Sequence, residues 1–183
     1  MFNKHISLLV VLSLIVPILF VLPIGNANAN TPFTSNVLVN SSYTAGDQIT
    51  PRLCVESNTT VHAVWEDIQG SASRIFYAKS INGGASFGGR VRVDSISSPG
   101  TFVVAENPAI AVNSTHTIFV VWSDNSTSTF RVYLSKSDDN GGHFSPAVLV
   151  TSAFKGNQTR PSIAIDNDII YLAGPSSTRS TTT

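Results

Sequence analysis

The sequence predicts an all-β fold, an incomplete β-propeller of about two and a half four-stranded antiparallel blades. Three observations predict it. The 183-residue chain repeats at a fixed offset of 57 residues, each copy divides into strand-length segments, and no stretch after residue 30 shows an apolar period of 3.6 residues. Four short strands in a unit of about 50 residues are typical of a propeller blade.

The repeat needs no gaps. Shifting the chain by 57 residues pairs Trp65 with Trp122 and Pro51 with Pro108. Identical pairs continue through the copy: Val55/Val112, Asp67/Asp124, Arg74/Arg131, Lys79/Lys136, Ser80/Ser137, Gly84/Gly141, Phe87/Phe144, Val91/Val148 and Val93/Val150. A third copy opens at residues 161–165 and stops after residue 172. Such self-similarity indicates stacked copies of one supersecondary unit.

Each copy contains four segments with strand character. In the first copy they cover 51–56, 60–65, 74–79 and 90–93, and in the second 108–113, 117–122, 131–136 and 147–150. These segments define blade 1 (50–106), blade 2 (107–159) and a partial blade 3 (160–174). An N-terminal strand and linker (30–49, with the strand at 36–39) precede the blades, and a polar tail (175–183) follows them. Closed propellers use ~4–8 blades, so we expect either a truncated product or partner blades from other chains.

The first 29 residues have the pattern of a secretory signal peptide. Lys4 precedes an apolar run over 6–24, and Ala27-Asn28-Ala29 is a small-x-small cleavage site. An uncleaved membrane anchor is the alternative, since the run approaches ~20 residues. The sequence therefore predicts a secreted or cell-surface protein, with no membrane span after cleavage.

Composition excludes some partners. The chain has 11 Lys+Arg and 11 Asp+Glu, which gives no electrostatic reason to expect nucleic acid as a partner. Cys54 is the one cysteine in the sequence, so no intramolecular disulfide can form. It takes the position of Ala111 and Ala164 in the other copies, which favours a buried, inert thiol.

Asn-x-Ser/Thr sequons indicate glycosylation in an exported chain. They begin at Asn40, Asn58, Asn113, Asn125 and Asn157. We expect a glycoprotein with surface turns at these positions, although a sequence rich in Ser, Thr and Asn also produces sequons by chance.

A shared motif lies between the third and fourth segments of each copy. It is Ser-x-Asp/Asn-x-Gly-x-x-Phe, and its residues are Ser80, Asn82, Gly84 and Phe87 in the first copy and Ser137, Asp139, Gly141 and Phe144 in the second. The Asp or Asn side chain can accept hydrogen bonds from turn amides, and the glycine can supply positive φ. We expect the aromatic ring to fold back over the apolar face of its blade.

This motif is the Asp-box, or bacterial neuraminidase repeat, and over residues 36–174 the chain resembles the sialidase-like superfamily of Asp-box propellers. The resemblance implies a six- or seven-bladed propeller that is often a glycosidase or a glycan- or protein-binding module. It also implies a structural role for the Asp-box residues, because in this superfamily the motif lies on the outer turn of the blade.

No catalytic residue follows from the resemblance. Family sialidases hold the substrate carboxylate with an arginine cluster and open with an Arg-Ile/Leu-Pro segment, which this chain lacks. Arg52 and Arg160 flank the first-strand prolines without repeating, and they are weak candidates to face a central channel. The histidines His62, His116 and His143 fall at three different phases of the repeat, so the sequence predicts no metal site and no cofactor.

Two main functions follow. The leading one is a secreted, non-catalytic module that binds a glycan or extracellular protein or scaffolds a surface layer. The alternative is the N-terminal fragment of a sialidase-like exo-glycosidase, a glycoside hydrolase. A third possibility is a ring of several copies that associate through open blade edges.

Overall fold

The computed structural model describes residues 37–40, 46–95, 103–151, 156–166 and 168–177. Every regular element in these ranges is a β-strand. No helix in the described part of the chain is long and apolar enough to cross a membrane. The predicted signal peptide at 1–29 lies outside the described residues.

The two full copies of the repeat form two four-stranded antiparallel sheets. The first sheet contains β1 (Asp47–Val55), β2 (Val61–Gln69), β3 (Ala72–Ser80) and β4 (Val91–Arg92), hydrogen-bonded in that order. The second sheet contains β5 (Ala105–Val112), β6 (Ile118–Asp124), β7 (Arg131–Ser137) and β8 (Val148–Leu149), again in chain order. The all-β prediction and the four-stranded antiparallel sheets are confirmed.

The first strand of each sheet starts earlier than the sequence pattern predicted. The β1–β2 register shifts between Ile49 and Arg52, and the β5–β6 register shifts between Glu106 and Ala109. Such a bulge lets a strand continue through a proline that cannot donate to the ladder. Consequently 47–49, predicted as linker, belong to β1, and 105–106, predicted as the end of blade 1, belong to β5.

A strand was also predicted at 36–39, and this prediction is wrong for the described part, 37–40. Val37 and Leu38 have no regular structure, and Val39 and Asn40 form a turn. None of these four residues pairs with a strand in the described ranges, and a strand without a ladder partner is not stable.

The third copy forms a smaller sheet. Its strands, β10 (Ser162–Asp166) and β11 (Ile169–Ala173), pair antiparallel. A separate two-stranded pair joins β9 (Asn157–Gln158) to β12 (Ser176–Ser177). Residues 176–177, predicted as part of a polar tail, therefore form a strand, because backbone pairing does not require apolar side chains; residues 178–183 lie outside the described ranges.

The main core lies between the two four-stranded sheets. Its buried cluster comprises Val64, Ile75, Tyr77 and Val93 from the first copy and Ala105, Ile110, Ile118, Val120, Trp122 and Tyr133 from the second. β2 is buried almost continuously from His62 to Asp67 instead of alternating, as expected of a strand covered on both faces. The core thus joins successive copies of the repeat.

Candidate functional site

A cleft of about 440 Å³ opens where the first strands of the three copies meet. We call it the first-strand cleft. It is lined by Arg52, Leu53, Asn107, Ala109, Ile110, Arg160, Pro161, Ser162 and Ile163. The bulged starts of β1 and β5 and the start of β10 position these residues.

One backbone feature recurs at the cleft in all three copies. Thr50, Asn107 and Arg160 each precede a proline and each have a positive φ, at 49°, 53° and 50°. A left-handed conformation at a non-glycine residue costs on the order of 1–3 kcal/mol and is retained where surrounding structure fixes it. The chain therefore holds the same strained residue before a proline three times, within or directly before the first strand of each copy.

The copies also differ in sequence at the cleft. The residue before the proline is Thr50, Asn107 or Arg160, and the residue after it is arginine in the first copy only. The three first strands therefore share a backbone conformation but present different side chains to the cleft.

Both cleft arginines are exposed and lack a carboxylate partner among the described residues. Arg52 Nη1 donates to the backbone oxygen of Pro51 at 3.0 Å, and no described group bonds to the Arg160 guanidinium. By contrast, Arg74, Arg90 and Arg92 of the first sheet each form an ion pair with an aspartate, as in Arg90–Asp67 at 2.8 Å. The structure thus brings Arg52 and Arg160 to one cleft. Whether this cleft faces a central channel is still a prediction.

A buried carboxyl lies directly behind the cleft, and sequence reasoning missed it. Glu66 on β2 is 5% exposed, and its Oε2 accepts hydrogen bonds from Thr50 Oγ1 at 3.3 Å and Asn107 N at 3.4 Å. Burial raises the pKa of Glu66, and the nearby Glu106 raises it further. The sequence signal for this residue is a difference between the copies, since Ser123 stands at the position equivalent to Glu66.

We call the turn between β3 and β4 hairpin A. Ser80 Oγ donates to Asn82 Oδ1 at 2.9 Å and accepts from Gly84 N at 2.9 Å. Asn82 Oδ1 also accepts from Ser86 N at 2.9 Å. Phe87 is half-buried. The hydroxyl and the amide side chain thus bind the amides of the turn.

Hairpin B, between β7 and β8, repeats these contacts. Ser137 Oγ donates to Asp139 Oδ1 at 2.8 Å and accepts from Gly141 N at 2.9 Å. Asp139 Oδ1 accepts from His143 N at 2.9 Å, and Oδ2 lies 2.7 Å from His143 Nδ1. These hydrogen bonds, first those from His143 and then that from Ser137, hold the pKa of Asp139 well below its usual range.

The aromatic residue of hairpin B packs across the sheet boundary. Phe144 meets Tyr77 of β3 edge-on, with ring centroids 5.2 Å apart. The prediction that it covers the face of its own blade misses this contact, because Tyr77 stands on the neighbouring sheet. The motif residue thereby helps to join the two sheets.

A hydrogen-bonded chain extends inward from the same boundary. Burial lowers the pKa of His62, so the neutral ring accepts the Tyr77 hydroxyl at Nδ1, 2.7 Å away, and donates from Nε2 to Glu56 at 3.1 Å. The second Glu56 oxygen bonds to His116 in the turn after β5. Cys54 is half-buried and burial raises the pKa of its thiol.

The sequons differ in exposure. Asn40 is 5% exposed in the turn at 39–40, and glycosylation there stays a prediction. Asn58 is exposed in the turn after β1, and Asn157 is exposed on β9. Asn113 and Asn125 are half-buried, and their side-chain oxygens accept hydrogen bonds from the Thr117 and Val104 backbones.

Within the described ranges no group of three or more His, Cys, Asp or Glu side chains could hold a metal ion. The first-strand cleft therefore contributes arginine and amide donors, and Glu66 contributes a carboxyl behind it. This arrangement can bind an anionic group.

No family model matches the chain, and none of the curated proteins is significantly similar to it. Two solved structures share its fold. The α-L-arabinanase of Penicillium chrysogenum, solved with arabinobiose, is 14% identical with a TM-score of 0.50, over 67% of this chain and 38% of that one. Zg3597, a family 117 glycoside hydrolase from Zobellia galactanivorans, is 14% identical with a TM-score of 0.54, over 74% and 51%.

These likenesses establish the fold alone. The chain has the propeller-type, all-β architecture found in glycoside hydrolases, and it spans about half or less of the two chains that it matches. The number of blades and the assignment of hairpins A and B as Asp-boxes stay predictions.

Proposed function

We propose that the chain is part of a secreted, sialidase-like propeller that binds a carbohydrate bearing a carboxylate at the first-strand cleft. The observation that carries this proposal is the pair of exposed arginines, Arg52 and Arg160, on one cleft without carboxylate partners in the described chain. A guanidinium binds a carboxylate through paired, charge-assisted hydrogen bonds. Asn107 on the same cleft supplies an amide that suits sugar hydroxyls.

The fold supports a carbohydrate as the ligand class. The two neighbours named above are a glycoside hydrolase and an arabinanase solved with a disaccharide. Hairpins A and B, as Asp-boxes, stabilise the sheets and contribute no residue to the cleft. The signal peptide, glycosylation at exposed sequons such as Asn58 and a role outside the cell complete the proposal.

A second candidate function is glycoside hydrolysis within a longer protein, and Glu66 favours it. A carboxylic acid whose pKa is raised by burial suits proton donation to a leaving group. Glycoside hydrolysis needs a second acidic group or a nucleophile, which further blades would supply. This chain then contributes the binding residues and the acid of that site.

The test is calorimetric titration at neutral pH with three sugars: trigalacturonate, a sialylated trisaccharide and neutral arabinobiose. We expect one of the two acidic sugars to bind and arabinobiose to bind at least tenfold more weakly. The acidic sugar that binds identifies the source of the carboxylate. Preference for arabinobiose would contradict the anionic-ligand proposal.

The variant R52A/R160A should lose about tenfold or more in affinity for the acidic sugar, since charge-assisted hydrogen bonds contribute ~1.5–3 kcal/mol each. The matched control is K79A/K136A, which removes the same net charge away from the cleft. Equal losses in the two double variants would show non-specific attraction instead of a site.

A further inference from the structure

The Glu66 side chain connects the strained residues of the first two copies, Thr50 and Asn107, at the first-strand cleft. Glu66 Oε2 accepts from Thr50 Oγ1 in its own sheet and from Asn107 N in the next sheet. Asn107 also lines the cleft. The Glu66 carboxyl is therefore one hydrogen bond away from the cleft wall.

The second sheet has no such connection to the third copy. Ser123 stands at the position equivalent to Glu66, and its buried Oγ finds no hydrogen-bond partner in the described chain. A serine is too short to reach the next copy, where Arg160 takes the place of Asn107. The contact is thus specific to Glu66 and is not a general feature of the repeat.

The elements packed around Glu66 give it a largely neutral setting. β1 presents Thr50, β3 presents Ser73, and β5 presents Asn107 and Glu106. Of these groups only Glu106 carries a charge, and its negative charge raises the pKa of Glu66, as burial does. Glu66 therefore takes up a proton at milder acidity than an exposed glutamate.

We propose that Glu66 is a positioning residue that makes the affinity of the first-strand cleft for a carboxylated sugar depend on pH. The proposal rests on the proposed function. The ionised carboxylate holds the Asn107 amide and places a negative charge behind the cleft, where it repels the ligand carboxylate. Protonation removes this charge, so the affinity rises as the pH falls.

Linkage fixes the reciprocal effect: binding of the anionic sugar promotes proton uptake by Glu66. For charges about 8 Å apart at an effective dielectric constant of about 40, the repulsion corresponds to roughly a fivefold change in affinity. Arginine side chains stay charged over the whole range, and an ordinary carboxylate ligand stays ionised above about pH 5. No histidine is among the described residues that line the cleft, so a pH dependence of binding between pH 5 and 8 that E66Q abolishes reports on Glu66.

The experiment compares affinities for the acidic sugar from pH 5 to pH 8 in wild type and E66Q. We expect wild-type affinity to rise as the pH falls, toward a limit of about fivefold at complete protonation of Glu66. E66Q should bind more tightly than wild type at pH 8, with a flat profile. An unchanged pH slope in E66Q would overturn the proposal.

The matched control is E106Q, which removes a neighbouring negative charge and leaves the Glu66 hydrogen bonds in place. We expect it to keep the pH slope with its midpoint moved to lower pH. A flat profile in E106Q with a retained slope in E66Q would assign the effect to Glu106 and contradict the proposal.

A ligand-free measurement separates this inference from the proposed function. The amide resonance of Asn107 should titrate in wild type with a midpoint above ~4.3, the ordinary value for glutamate, and should not titrate in E66Q. Absence of that difference would overturn the role of Glu66 whatever the ligand. If the amide titrates as expected but no acidic sugar binds at any pH, the proposed function and the affinity claim are wrong, while Glu66 still controls the cleft wall.

Discussion

Hairpins A and B share their internal hydrogen bonds and differ in their surroundings. In each, a serine hydroxyl and an Asn or Asp side-chain oxygen accept hydrogen bonds from turn amides at 2.9 Å. Gly141 of hairpin B is buried, and a Cβ there would lie 2.5 Å from the Tyr77 hydroxyl. At Gly84 of hairpin A, no described atom lies within 4 Å of an added Cβ.

The difference teaches that the motif serves two purposes. Its polar residues form the turn from local sequence alone, so both copies fold alike. Its glycine and phenylalanine also form a packing surface, which hairpin B uses against the neighbouring sheet through Tyr77. The contact to the neighbouring sheet is therefore separable from the turn.

The largest expected effect separates the two glycines. Both have φ near 88°, so alanine at either position costs ~1–2 kcal/mol for the left-handed backbone. G141A must also displace Tyr77, which adds about 1–3 kcal/mol of overpacking. Urea unfolding should show G141A to be the less stable variant by that margin.

Equal losses of unfolding free energy in G84A and G141A would mean that hairpin B does not pack on Tyr77. Hairpins A and B would then both be turns without a packing contact to the neighbouring sheet. Circular dichroism of both variants before unfolding checks that each retains the β-rich fold.

A smaller effect is expected at Tyr77, where the hydroxyl bonds His62 inside the core. Y77F leaves the buried His62 Nδ1 without its donor, and we expect a loss of about 1–2 kcal/mol in unfolding free energy. H62F, which places the phenylalanine of the second copy at this position, is the matched partner for a double-mutant cycle. Additive losses would contradict a direct His62–Tyr77 hydrogen bond.

The smallest effect distinguishes Asp139 from Asn82 by its pH dependence. The pKa of Asp139 is lower in the folded state than in the unfolded chain, so its stabilising contribution is complete above the unfolded value of ~3.9 and is lost as the pH falls below it. D139N, which copies hairpin A, should therefore have a Tm that approaches that of wild type between pH 5 and pH 2. A constant difference over this range would show that Asp139 does not titrate in this way.

The strands could be predicted well from the sequence because each strand pattern occurs in both full copies of the repeat. Trp65 and Trp122 set the phase of β2 and β6, and both lie in the predicted strands. The bulges at Thr50 and Asn107 could not be predicted from apolar periodicity, since a residue before proline usually favours extended backbone. The early starts of β1 and β5 follow from these bulges.

The candidate site was predicted only in part. Arg52 and Arg160 were selected because they do not repeat, and the structure places both on the first-strand cleft. Glu66 was missed because its role depends on a contact with the next sheet, and a contact between copies leaves no local pattern. The same reason explains why the packing of Phe144 on Tyr77 was not foreseen.

The most direct test of the central claim is a crystal structure of the protein soaked with the acidic sugar that binds in titration. The account predicts the sugar carboxylate between the guanidinium groups of Arg52 and Arg160, with a ring hydroxyl on Asn107. A sugar bound elsewhere, such as in the groove lined by Phe87 of hairpin A and Asn140 of hairpin B, would contradict it.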